Sequence, residues 1–213
     1  MAERASFLGD PPLTEEGAAR FEADREEDGF VNNVTRLWCW RPDLLSGFAA
    51  LRSGLMASSQ LTNRDWAVLV TATAAERNDS YCALAWGARL AKLVGDDAAA
   101  RVIAGVPEPS LSERESALAR WARQVVQDPN ATTDGDVARL REVGLGDREI
   151  FEATAFIAFR LAFSTVNDAL GAAPDKQLAD AVTPAVRAAV DFGRATVVRT
   201  VEPVTSIGRT RPS

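Results

Sequence analysis

The 213-residue chain has no histidine, one tyrosine (Tyr81), and two cysteines, Cys39 and Cys82. Without imidazole it lacks the side chain that ordinarily gains and loses a proton near neutral pH. With two cysteines it has neither the ligand set of a structural zinc site nor the makings of a disulfide framework. A basic surface is also missing. Lys and Arg number 24 against 30 Asp and Glu, a net charge of −6, which argues against a nucleic-acid or anionic-membrane partner. No run of about 18 apolar residues occurs, since the longest, 150–170, is interrupted by Glu152 and Arg160. There is no phosphate-binding loop, dinucleotide glycine fingerprint, or haem or flavin signal, so no cofactor is expected. The opening Met-Ala-Glu-Arg lacks the apolar core of a signal peptide, and a cytoplasmic location is the expectation.

What is present is helical. The chain is 46% hydrophobic and 25% charged, rich in Ala, Leu, Arg and Glu, with few alternating segments, which predicts an all-α fold. The length suffices for one domain, or two small helical halves packed together. Residues 1–28 carry Pro11-Pro12 and an acidic run at 22–28, and read as an N-terminal arm with one short helix. Two helices follow, broken near Pro42 because proline disfavours helical geometry just before it. A short phrase then recurs: LTNRD at 61–65, LSERE at 111–115 and LGDRE at 145–149. In the first two, a hydroxyl and an acid three residues on form a capping box. Each phrase therefore opens a helix, predicted over 62–77, 112–128 and 147–170. Gly95-Asp96-Asp97 reads as a turn, and Thr183–Phe192 as a final helix. The recurrence fits either convergence on a good cap or duplication of one helical unit. The halves would be about 29–106 and 110–200, with Pro107 and Pro109 between them, and 201–213 forms a tail.

The stretch ERNDSYCALAW at 76–86 has the layout of a reactive-cysteine helix: polar helix-starting residues, then Tyr81-Cys82, then an apolar helical run. If Asn78 or Asp79 caps this helix, Cys82 lies in its first turn, where the free amides favour a thiolate. Asp79 opposes that, because a neighbouring carboxylate raises a thiol's pKa. The two effects are of similar size, about 0.3–1 kcal/mol for the helix end. Only an arginine folding toward the sulfur, from Arg64, Arg77 or Arg89, would tip the balance toward a thiolate.

Taken in order, GFVNN at 29–33, RPDLL at 41–45, NDSYC at 78–82, LSERESAL at 111–118, DPNATT at 128–133 and DALG at 168–171 resemble the carboxymuconolactone decarboxylase and alkylhydroperoxidase D superfamily. The likeness is to its two-half, peroxidase-related branch. It implies an alkylhydroperoxidase D-like helical bundle of two related units in one domain, and a homo-oligomer, a dimer or larger. In redox-active members the signature is Cys-x-x-Cys-x-x-x-His, with Tyr before the second cysteine. Cys82 then matches the second cysteine and Tyr81 the tyrosine, while Asp79 stands where the first cysteine falls and Trp86 where the histidine falls. The relay glutamate would lie near Asp65 or Glu76. Paired cysteines let a sulfenic acid collapse into an internal disulfide, so Cys82 would need an external thiol reductant. Trp86 has an N–H but no basic site, and cannot replace the histidine.

Three functions follow as expectations. The first is a weakened, single-cysteine thiol peroxidase with Cys82 as the peroxidatic thiol. The second is non-redox turnover of a small cyclic acid or lactone by Glu76, Asp79 and Arg160. The third is a catalytically silent protein that binds a small molecule or a partner. Each residue also has a plain structural role. Cys82 and Cys39 can be packing residues, Glu76 and Asp79 helix-end charges. Arg160, set among apolar neighbours, either reaches a ligand or Asp65, Glu76 or Asp79 in the pocket, or forms a structural salt bridge.

Overall fold

A computed structural model describes residues 4–197; the predicted tail at 201–213 lies outside the described residues. Among the described residues there are eleven α-helices and a single isolated β-bridge, which is the all-α fold read from the sequence. In chain order they are α1 (Glu15–Asp28), α2 (Asn33–Trp38), α3 (Pro42–Ser58), α4 (Asn63–Glu76), α5 (Ser80–Val94) and α6 (Asp96–Ala104). There follow α7 (Glu113–Gln127), α8 (Asp134–Glu142), α9 (Asp147–Ala169), α10 (Lys176–Ala181) and α11 (Pro184–Ala189). No helix among the described residues is long and apolar enough to cross a membrane.

The core lies around α4, buried along almost all of its length and packed on α5, α7 and α9. Trp66 of α4 meets Phe156 of α9, ring centroids 4.7 Å apart. Leu69, Leu90, Leu118 and Ile157 fill the space between the helices. Gly87 lets α5 approach α6 and α11, since a Cβ there would stand 2.9 Å from both Ile103 and Val186.

The three recurring phrases do more than cap. Asp65 and Glu115 each close a full capping box, on Thr62 and Ser112. Glu149 accepts the N–H of Gly146 at 2.8 Å, the half of the box that needs no hydroxyl. Each capping acid is also gripped by an arginine from another phrase. Arg64 bonds Glu115 at 2.6 Å, and Arg114 reaches Glu149 at 2.6 Å and Asp65 at 3.4 Å. The starts of α4, α7 and α9 are thus tied together by charge-assisted bonds, the stronger kind of hydrogen bond.

Three helices, α6, α8 and α10, were not anticipated. A turn was expected at Gly95-Asp96-Asp97, yet α6 starts at once, with Gly95 at positive φ and the two aspartates in its first turn, where acids suit the helix dipole. The final helix, expected over 183–192, is the shorter α11, preceded by α10.

Candidate functional site

Between α4 and α5 the chain turns at Asn78, whose φ of 59° lies in the left-handed region that asparagine tolerates better than most residues. That turn places Asp79, not Asn78, at the N-cap of α5. Asp79 is fully buried. Its Oδ1 accepts the Cys82 N–H at 2.9 Å, and its Oδ2 accepts the Ser164 hydroxyl from α9 at 2.5 Å. Cys82 is the third residue of α5 and is buried against Ala74 and Ala83, with Phe163 packed beside them.

The arginine that reaches the sulfur is none of Arg64, Arg77 and Arg89. Arg160 of α9 donates from Nη2 to Cys82 Sγ at 2.7 Å, and its guanidinium lies over the Phe163 ring at 5.1 Å. Of the readings open for Arg160, pairing with Asp65, Glu76 or Asp79 is not what the structure has. Among the described residues it forms no ion pair with a carboxylate. Burial pushes the Cys82 thiol far above its ordinary pKa, against the Arg160 charge and with that of Asp79. Removing a thiolate from water costs more than one guanidinium returns.

Asp168, one turn beyond Ser164 on α9, is half-buried. Burial and the nearby Asp79 charge push its carboxyl up to about 6. On the other side of Cys82, the Tyr81 hydroxyl donates a short hydrogen bond to Asp175, whose carboxylate also accepts the Asn33 N–H at 3.2 Å. Burial raises both Tyr81 and Asp175.

The remaining sequence candidates stand elsewhere. Glu76 is held by Arg123 and Gln127, each at 2.7 Å. Asp65 serves its cap and Arg114. Trp86 is a core residue with Arg89 lying over its ring at 4.8 Å. Cys39 is a buried free thiol touching the Gly17 carbonyl, and Cys82 is free as well, so no disulfide joins them. The site therefore gathers Asp79, Cys82 and Arg160, adds Ser164 and Asp168, and leaves Glu76 and Asp65 out. Asp168 lies in the DALG phrase and Asn33 in GFVNN; nothing in the sequence pointed to Ser164 or Asp175.

A cavity of about 990 Å³ opens beside this cluster. Its walls come from α1, α2, α3, α5, α6, α9 and α10, and include Leu45, Phe48, Tyr81, Phe159 and Phe163. Arg160 lines it, whereas Cys82 does not; the guanidinium stands between cavity and sulfur. Trp38 stacks on Phe163 at 4.8 Å, and Phe48 meets both rings edge-on, which stiffens the aromatic wall. Among the described residues no group of three or more acid or cysteine side chains is placed to hold a metal ion.

No family model and no curated protein matches the sequence. Solved structures do match. A peroxidase-related protein from Ralstonia eutropha JMP134 with an alkylhydroperoxidase D core superposes with a TM-score of 0.74 at 25% identity, over 83% of this chain and 96% of that one. A peroxidase-related protein from Silicibacter sp. TM1040 gives 0.73 at 22% identity, over 83% and 95%. The debrominase Bmp8, solved in complex with 2,3,4-tribromopyrrole, gives 0.65 at 17% identity, over 86% and 96%.

Proposed function

On the alkylhydroperoxidase D-like fold that this chain has, we propose a protein that binds a small molecule in the cavity beside α5 and α9, with Cys82 resting as a protonated thiol. The observation that carries this reading is the separation of cavity from sulfur. A space of about 990 Å³ with aromatic walls is open to a ligand, while Cys82 is 4% exposed and lies behind Arg160. A peroxidase cycle needs a thiolate that meets peroxide, and then a thiol that meets the sulfenic acid. Burial and Asp79 oppose the thiolate, and Asp79 stands where the resolving sulfur would be.

One observation favours a second reading, the single-cysteine thiol oxidoreductase. A guanidinium donating to sulfur at 2.7 Å is the arrangement that would stabilise a thiolate once formed. In that chemistry the thiolate attacks a hydroperoxide oxygen, giving sulfenic acid and an alcohol. Two equivalents of an external thiol then restore the cysteine, releasing water and a disulfide. Non-redox turnover by Glu76 and Asp79 has no such support, since Glu76 is engaged by Arg123 and Gln127 and both Asp79 oxygens already accept hydrogen bonds.

The test is titration of the full chain with Nile red, a neutral apolar dye, beside peroxide consumption in dithiothreitol. The reading predicts saturable dye binding that weakens at least tenfold in Ala88→Trp, which fills the cavity from α5. It also predicts peroxide consumption no faster than in Cys82→Ser. Absence of saturable binding, or peroxide turnover that Cys82→Ser abolishes, overturns it.

A further inference from the structure

Besides Arg20 of α1, which donates to the Ser46 hydroxyl at 2.7 Å, three arginines from three helices line the cavity: Arg52 of α3, Arg89 of α5 and Arg160 of α9. Among the described residues none of them is in an ion pair with a carboxylate, whereas arginines elsewhere, such as Arg64, Arg114, Arg123 and Arg148, are paired. Two are fixed by stacking instead. Arg160 lies over Phe163 and Arg89 over Trp86. Stacking orients a guanidinium without neutralising it and leaves its in-plane N–H edge available.

Like charges gathered at a partly enclosed site repel, and need an anion to be stable together. The repulsion is expressed at Arg52, where burial and the charges of Arg160 and Arg89 lower the pKa against the pull of Glu27. Four carboxylates share the wall, and none forms an ion pair with these arginines among the described residues; Glu27 acts on Arg52 only at a distance. Asp24 and Asp28 are taken up by the Asn32 backbone and side-chain N–H groups, at 2.9 and 2.7 Å. Asp96 opens α6.

We infer that the cavity takes an organic carboxylate with an apolar body, its carboxylate read by Arg52, Arg89 and Arg160 and its body laid against Phe48, Phe159 and Phe163. An arginine edge matches a carboxylate in two-pronged fashion. The volume and the aromatic walls call for an apolar body, which a compact inorganic anion would not supply. The inference rests on the cavity being a ligand site, and adds the charge and class of the ligand.

Calorimetric titration with decanoate and with naphthoate, each beside its methyl ester, tests it on the full chain. The acids are expected to bind at least tenfold more tightly than the esters. Raising the salt should weaken the acids alone. Arg52→Gln/Arg89→Gln should bring the acids down to the level of the esters, as should Arg160→Gln if it folds. Esters that bind as well as acids, acids indifferent to Arg52→Gln/Arg89→Gln, or no binding of either acid each overturn the inference. Nile red reports separately: dye binding without acid preference leaves the cavity reading standing, and loss of both removes both.

Discussion

Replacing Asp79 with asparagine keeps an acceptor for the Cys82 N–H while removing the negative charge beside the sulfur. Asn and Asp are equivalent as caps, so Asp79→Asn should leave stability nearly unchanged. Cys82 alkylation near pH 8 should be about three- to tenfold faster in a Cys39→Ala background, the effect of a shift of up to roughly one pKa unit. Unchanged alkylation would mean that burial alone controls the thiol. A second residue-scale prediction concerns Asp168. Its folded-state pKa, about 6, lies above the unfolded value of about 3.9, so the native state binds this proton more tightly. Stability is therefore lost as pH rises from about 4 through about 6, and the full cost is present above that. Asp168→Asn should stabilise the fold at pH 7.5 by on the order of 1 kcal/mol once solvent screening is allowed for, seen as a higher melting temperature, and leave stability unchanged near pH 4. An equal gain at both values would rule out the carboxylate as the cause. Asp79, Cys82 and Tyr81 were legible in the sequence because they sit within a single helix start. Ser164 and Asp175, which complete their hydrogen bonds, were not legible, because they lie far along the chain and a lone Ser or Asp carries no pattern.

Among the elements, the capping phrases were the most legible feature, because a hydroxyl and an acid at fixed spacing act on their own helix start. The predicted 62–77, 112–128 and 147–170 correspond to α4, α7 and α9. What the phrases could not reveal is that Arg64 and Arg114 serve phrases other than their own, since that depends on how the helix starts pack together. Ser112→Ala removes one acceptor of the α7 box and leaves Glu115 to Arg64. The expected cost is about 1 kcal/mol in urea unfolding, with m unchanged. A loss of several kcal/mol would show instead that the three helix starts unfold as one unit. The α6 helix went unseen because a glycine before two aspartates reads as a turn, and only burial of Ala99, Val102 and Ile103 makes a helix of it.

At the scale of the whole molecule, fold and cavity differ in how far they could be read. The ordered set of phrases carries the fold, whereas the cavity is assembled from side chains of seven helices and leaves no local mark. Arg52 in particular stood out in no motif. Helix α3 has no buried residue, yet it displays Leu44 and Leu51, each about half exposed (47% and 53%). Apolar side chains so lightly covered along one helix are unusual in an isolated subunit. We predict a dimer or larger in solution, with a mass by light scattering that is a multiple of 22.9 kDa, reduced to the single-chain value by Leu51→Lys. A wild-type monomer would contradict this. The account as a whole turns on whether the cavity or the sulfur is the working part, and the pH dependence of Cys82 alkylation in a Cys39→Ala background decides it most directly. An inflection above the free-thiol value of about 8.5, or no labelling until the chain unfolds, is the predicted result. An inflection well below that value would mean that Arg160 holds a thiolate ready for chemistry, and would contradict the account.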